Sequence, residues 1–420
     1  MKRTTLFFIA LSAVGAAHAQ YGVTQIKNSV ATSVFSGADS TLATSGSYGD
    51  FIGGIAYDSA NDALYVSGWA SSSTAKRQGI ARLSTPTSGA ATQSLTVSGS
   101  AWLNQTLMAG SSRSSKLQIA NGNLYWGYGQ GQSSTATNFG DAAAGPKFGF
   151  QKHSLAGNPT TGAGTQDLSF GGNGVVTPNE WRNESGTGIT GNTRIDSFAF
   201  DSNTGTMIGA GFFNGFTYRV DASTGAYVAG GNAAFPGSIA NGDNVGQYRD
   251  LAYDPVKKKL YTRSTISVSN PNTANRMSVE SYDYDVATNT ISNRKNLFLG
   301  NATADNSVAK VSFLSSTLTG DLLAVNDTSN GTIKVLNAST GVVLMSVNGA
   351  ENGYTAFGAT DFLTPHLAAG ANGKIYLFVG RSNTGGTLDE VRTYQVVPEP
   401  ATMAALGLGV AAMLRRRKKS

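Results

Sequence analysis

Apolar residues along this chain fall in short alternating runs cut by Gly, Asn and Asp, the spacing of antiparallel strands and turns. No long segment holds apolar residues at i, i+3, i+4 and i+7, so helices contribute little to the body. One phrase recurs: Ile55-Ala56-Tyr57-Asp58, a polar turn, then Ala63-Leu64-Tyr65-Val66 returns as Leu251-Ala252-Tyr253-Asp254, a turn, then Lys259-Leu260-Tyr261-Thr262. Looser copies run from Leu117 to Tyr125, Phe198 to Ile208, Val311 to Val325 and Asp361 to Leu377. Several are followed by a third strand ending in a Thr-Gly turn, as at Thr224-Gly225 and Thr340-Gly341. There Gly suits a positive φ, and the preceding Asp221 or Asn337 can bond its own backbone.

Strand, turn, strand, turn, strand in repeated copies is the grammar of a β-propeller. Anchored on Tyr65, Tyr125, Ile208, Tyr261, Leu323 and Tyr376, the copies lie 60, 83, 53, 62 and 53 residues apart. That spacing predicts an all-β, β-propeller-like body of about six blades, six or seven. A stacked-sandwich array or a β-helix is the competing architecture. The long gap, roughly 129 to 192, holds the strand-like run Phe148 to Leu155 and reads either as a seventh blade or as a long loop. The copies resemble exported YVTN-type or SMP-30-like propellers. Residues 21–50 are expected to supply an outer strand that pairs with the last strand of the ring, near Val391 to Val397, and so remove a free edge.

The two ends carry patterns of another kind. Lys2 and Arg3 precede an apolar run, and Ala17-His18-Ala19 is a small-x-small cleavage pattern before Gln20, so residues 1–19 read as a secretory signal peptide. Residues 20–397 form the body. Residues 398–420 combine Pro398-Glu399-Pro400, an apolar stretch from 401 to 414, and the basic end Arg415, Arg416, Arg417, Lys418 and Lys419. This three-part tail resembles the PEP-CTERM sorting signal of exported proteins in Gram-negative bacteria that make extracellular polysaccharide. The same tail is also known as an ice-binding protein C-terminal domain, although no Thr-rich array of fixed period occurs in the body. The resemblance implies export machinery and an exosortase-type protease as partners, and a membrane contact that lasts until processing. As a helix the apolar stretch would extend about 21 Å, short of a hydrocarbon core of roughly 30 Å. A temporary anchor fits that length, with the basic end on the cytoplasmic side.

Charge changes meaning once the ends are set aside. The chain has 31 Lys and Arg against 25 Asp and Glu, but residues 1–20 hold two cations and the tail holds five cations and one anion. The body therefore carries 24 of each sign, and the basic balance gives no case for nucleic acid. With no cysteine, a disulfide framework and a thiol nucleophile are both excluded.

Candidate chemistry is sparse. His153 and His366 have no second ligand at metal spacing, and Gly127 to Gly131 is Gly-rich without a following helix to present to a phosphate. No cofactor and no metal is expected. Glu180 and Glu184 flank Trp181 and Arg182, a set that could cleave a sugar or simply belong to a surface loop. Asp58, Asp201 and Asp254 share a repeat position and read as turn formers. Asp283 and Asp285 alternate with tyrosines and read as a solvated strand face rather than a Ca²⁺ site. Asn-x-Ser/Thr triplets begin at Asn104, Asn183, Asn301, Asn326, Asn330 and Asn337, near the number that so Ser/Thr/Asn-rich a chain gives by chance. These readings favour a non-catalytic binding or display module of the cell envelope, in contact with glycans or surface proteins and associated with exopolysaccharide. The alternative is an exported propeller hydrolase or lyase acting on polysaccharide or a lactone.

Overall fold

The computed structural model describes residues 21–31, 51–71, 76–87, 96–107, 115–128, 130–131, 149–157, 166–172, 193–194, 198–210, 216–229, 233–236, 245–266, 276–302, 310–316, 320–327, 330–359, 361–382 and 389–398. The first strand, β1 (Tyr21–Ala31), is set apart from those that follow it in sequence. The first sheet is β2 (Phe51–Asp58), β3 (Ala63–Ser71), β4 (Lys76–Ser84) and β5 (Thr96–Leu107), paired in that order. The second sheet begins with β6 (Ser115–Ala120) and β7 (Asn123–Tyr128). After the two-residue β8 (Gln130–Gly131), its third strand is β9 (Gly149–Ser154). β8 pairs instead with β10 (Thr193–Arg194).

The third sheet is β11 (Phe198–Asp201), β12 (Thr206–Ala210), β13 (Phe216–Asp221) and β14 (Ala233–Ala234). The fourth is β15 (Val245–Asp254), β16 (Lys259–Ile266), β17 (Arg276–Asp285) and β18 (Thr290–Ala302). The fifth is β19 (Val311–Leu314), β20 (Leu322–Asp327), β21 (Thr332–Asn337) and β22 (Val343–Val347). The sixth runs β23 (Phe362–Ala369), β24 (Ile375–Ser382), β25 (Asp389–Pro398), and then β1 from the other end of the chain. Thus the run around Phe148 to Leu155 supplies the third strand of the second sheet. The expected outer strand is β1, antiparallel to β25 with Tyr21 opposite Pro398 and Ala31 opposite Asp389.

Among the described residues no single sheet closes on itself, which sets this arrangement apart from a barrel. Closure comes from packed faces. Innermost strands β2, β6, β11, β15, β19 and β23 each contact the next, and β23 contacts β2. A separate apolar cluster fills each junction: Tyr65 and Ile80 against Trp126, Phe150 against Phe198 and Tyr218, and Ile208 against Tyr282. The series continues with Tyr261 against Leu323, Val335 against Leu377, and Leu64 and Val66 against Phe378. A middle strand is therefore covered on both faces, and every described side chain of β12, β20 and β24 is buried. This explains the continuous apolar runs such as Ala63 to Val66, where a sheet with one wet face would alternate.

The turns follow the sequence reading. The Asp58 carboxylate accepts the Ala60 amide at 3.1 Å and the Asn61 side chain at 2.7 Å. Asp201 accepts the Asn203 amide and the Thr204 hydroxyl, and Asp254 accepts the Val256 and Lys257 amides. Gly225 and Gly341 take φ of 77° and 79°, the left-handed region in which the Thr-Gly turns need glycine. Gly54 serves a different purpose, because a Cβ there would meet Ser67 Oγ at 2.6 Å, the Leu117 amide at 2.7 Å and Lys116 Cα at 2.8 Å. The first and second sheets approach that closely only over a glycine. Replacing Gly54 by Ala should destabilise the fold by about 1–3 kcal/mol through overpacking. Urea unfolding would register it as a lower midpoint, and an unchanged midpoint would mean that this junction can open freely.

Candidate functional site

All six innermost strands border one central cavity of about 220 Å³. Its wall includes Gly54, Lys116, Phe200, Asp250, Lys310 and His366, one residue or more from each sheet. Strand register explains why these side chains meet. Gly54 lies opposite Ser67, Lys116 opposite Gly127, Asp250 opposite Arg263 and His366 opposite Phe378. In each case the cavity residue sits two places before the one paired with the repeat tyrosine (Tyr65, Tyr125, Tyr261 or Tyr376). One repeat position therefore points the chemistry of several sheets at the centre.

Asp250 holds the centre together. One carboxylate oxygen accepts the Lys116 ammonium from the second sheet and the Leu251 amide at 2.8 Å. The other accepts the Val311 amide of the fifth sheet at 2.9 Å. Lys116 also donates to the Leu251 carbonyl and lies 5.5 Å from the Phe198 ring centre, over the third sheet. Burial pushes the Asp250 carboxyl up from its ordinary value, against the pull of Lys116, Lys310 and the Val311 amide. Nearby, Leu367 donates to Ser312 and Thr364 donates to the Ile52 carbonyl, each at 2.9 Å, which joins the fifth, sixth and first sheets.

The histidines occupy different places. His366 borders the cavity, where burial and then the Lys116 charge push its imidazole down to about 4. His153 lies within the second sheet, fully buried and 3.0 Å from Gln151 Oε1, and burial likewise brings it down to about 4. Both rings are thus neutral near pH 7. Asp283 is bonded to Lys259 and Asn293, and Asp285 to Lys258. They form separate ion pairs at the surface, and among the described residues no group of three or more His, Asp or Glu could hold a metal. Glu180, Trp181, Arg182, Glu184, Ala17, Ala19, Glu399, Pro400 and Arg415 through Lys419 lie outside the described residues, and of Pro398 only its backbone pairing is described.

Two buried polar networks escape a sequence reading. Arg381 joins Asp361 at 2.6 Å to Glu390 at 2.9 Å, and Arg392 bonds the same Glu390 oxygen while lying 4.9 Å from the Phe357 ring centre. Glu280, with no exposed surface, accepts from Ser278, Tyr282 and Arg294. Their neighbours in sequence give no signal, since Glu390 stands between Asp389 and Val391 with Arg392 following, and Glu280 stands between Val279 and Ser281.

The buried histidines set an acid limit on stability. The ordinary histidine value is 6.5, and a folded value near 4 means that the unfolded chain takes up protons first as pH falls. Stability is therefore unaffected by His153 above about pH 6.5 and declines between 6.5 and 4, by up to about 3 kcal/mol at the lower limit. His366 acts in the same direction. Unfolding free energy measured from pH 7.5 to 4 should fall less steeply in His153→Gln than in the parent, and parallel slopes would contradict the assignment.

The family model described as the PEP-CTERM protein-sorting motif matches residues 396–418. No curated protein matches the chain by sequence. Among solved structures, an auxiliary nutrient binding protein from Bacteroides thetaiotaomicron is similar at 12% identity and a TM-score of 0.46, over 90% of this chain and 77% of that one. A glucose dehydrogenase is similar at 10% identity and a TM-score of 0.45, over 90% of this chain and 100% of that one. The β-propeller domain of Myceliophteria thermophila Cps50 (Swd1) is similar at 8% identity and a TM-score of 0.39, over 81% and 82% of the two chains. No helix among the described residues is long and apolar enough to cross a membrane. The chain carries a PEP-CTERM sorting motif, the mark of an exported protein held transiently at the membrane, on an all-β, propeller-like body.

Proposed function

We propose that this protein is a non-catalytic binding and display module of the cell surface, built as a six-bladed propeller and delivered by two removable end signals. In this reading residues 1–19 direct export and are cut after Ala19. Pro398, Glu399 and Pro400, with the basic end from Arg415 to Lys419, then engage an exosortase-type protease. The body presents Ser-, Thr- and Asn-rich loops whose hydroxyls and amides hydrogen-bond extracellular polysaccharide or neighbouring surface proteins.

The observation that carries this reading is the pairing of β1 with β25, in which Tyr21 stands opposite Pro398. The strand that would follow the export signal lies against the strand that runs into the sorting motif. Both processing points then fall at one end of a single strand pair, with no linker between the body and the membrane. Cutting at either point leaves the ladder from Tyr21 to Ala31 intact, so the ring stays closed when its signals are gone. Within the body, Asp250 borders the central cavity. Its two oxygens accept three hydrogen bonds, from Lys116, Leu251 and Val311, which gives it the structural part of joining the second, fourth and fifth sheets.

Intact-mass measurement of the native surface protein tests the proposal. The expected mass starts near Gln20 and lacks residues 401–420, with any glycan appearing as added mass. A mass retaining residues 1–19 would overturn export through this signal, and one retaining 401–420 would overturn processing of the tail.

A further inference from the structure

The connections between first and second strands gather on one face of the body, where bonds between neighbouring turns tie them together. Tyr125, just past the 121–122 turn, donates to the Ala222 carbonyl at 2.7 Å, and the Ala222 amide donates to Gly205 at 2.9 Å. Asn203 then donates to the Pro255 carbonyl at 2.8 Å, and Lys257 bonds Asp321. Tyr57 and Tyr376, beside the turns of the first and sixth sheets, share one cluster. The tail leaves from this same face. Val396 pairs with Ile375, the first residue of β24 after the 370–374 turn, so Pro398 lies level with that turn, and Tyr21 stands opposite it.

Exposed apolar side chains collect there too. Val256 in the β15–β16 turn is 79% exposed, and Leu168 is 71% exposed in a segment whose Gly171 amide donates to Thr224 of the next sheet's turn. Val342 and Val343 follow the Thr340-Gly341 turn and are also exposed. A lone exposed valine is ordinary on a protein surface. Here, of the five large apolar side chains exposed among the described residues, four share the turn face, and the fifth, Leu299, stands well along β18. On the opposite face the stretch 348–359 exposes Thr355 and Ala356 and no large apolar side chain. At the Val256 turn Asp254 is buried against the Val256 and Lys257 amides. The valine therefore meets the surroundings beside Lys257 and Lys258, which pair with Asp321 and Asp285.

We propose that, while the tail is in the membrane, the turn face of the body lies flat on the lipid surface with Leu168 and Val256 at the headgroups. This orientation rests on the tail reading above and adds which face meets the lipid. Only Glu399 and Pro400 separate Pro398 from the apolar stretch that begins at Ala401, and three residue steps span at most about 10 Å. The body cannot turn over on so short a tether. Leu168 follows the second sheet, Val256 belongs to the fourth and Val343 to the fifth, whereas the tail leaves the sixth. Contact at all of them sets the body flat rather than on its rim, and taking this apolar surface out of water favours the contact.

Because the chain has no cysteine, single cysteines can carry a fluorophore to chosen sites. The full chain, recovered with its tail from the membranes of an exporting bacterium that has no exosortase, is reconstituted in phosphatidylcholine vesicles containing a lipid with a nitroxide headgroup. Val256→Cys and Ser202→Cys mark the turn face and Ala356→Cys the opposite one, all at exposed positions. The eight residues of β24 span about 26 Å at ~3.3 Å each, so lipid at one face cannot quench both alike. The Val256 and Ser202 probes should lose most of their emission and the Ala356 probe little. Ser202→Cys leaves Val256 in place, so the readout does not depend on altering the contact itself. Equal quenching at the two faces, or stronger quenching at Ala356, in a chain that floats with the vesicles would overturn the orientation and leave the tail reading intact. A chain that fails to float with them would overturn both.

Discussion

The carboxylate of Asp250 is the point at which separate sheets become one structure. Each sheet is a local object, made of neighbours in sequence and stable in register by its own ladder, but a ring also needs contacts that fix how the sheets face one another. Asp250 on β15 takes a proton donor from β6 and another from β19, so the second, fourth and fifth sheets share one ion. A buried ion costs several kcal/mol of desolvation unless its lone pairs are filled, and here both oxygens are filled by groups whose positions the ring itself sets.

Around that centre the ring is held by flat apolar contacts. Aromatic pairs recur at the junctions, with centroid separations of 5.1 Å for Phe150 and Phe198, 5.0 Å for Phe235 and Tyr282, 5.2 Å for Tyr261 and Phe313, and 4.9 Å for Tyr57 and Phe378. Such pairs contribute about 0.5–1.5 kcal/mol each beyond the area they bury. Polar ties reinforce them, such as the Tyr125 hydroxyl on the Ala222 carbonyl at 2.7 Å and Arg219 on the Val286 carbonyl at 2.7 Å. The described sheets are thus joined by ring packing and by side-chain hydrogen bonds to backbone carbonyls.

Much of this was legible in the chain. The six recurring phrases are the first two strands of the six sheets, because a strand buried on both faces needs the same apolar residues in every copy while its turn needs Asp, Asn or Gly. The closing strand was legible too, since a strand-forming segment at one end of the chain has a matching edge at the other. The cavity was not. Lys116, Asp250 and His366 occupy a repeat position where each sheet carries something different, Gly54 among them, so the position repeats in space but not in residue type. The register that aligns them includes turns of unequal length, which a linear comparison does not correct. Glu280 and Arg392 were hidden for another reason: a charged side chain on a strand reads as solvent-facing, and only the packed neighbour sheet reveals that it is enclosed.

A double-mutant cycle on Lys116 and Asp250 tests the clamp most directly, with Lys116→Met, Asp250→Asn and the pair compared by urea unfolding. The account predicts that each single change is strongly destabilising, by about 3–5 kcal/mol for a buried charge left without its partner. The double change should cost clearly less than their sum, with a coupling of at least about 2 kcal/mol. Additivity of the two changes, to within about 0.5 kcal/mol, would show that the carboxylate does not bind these sheets together.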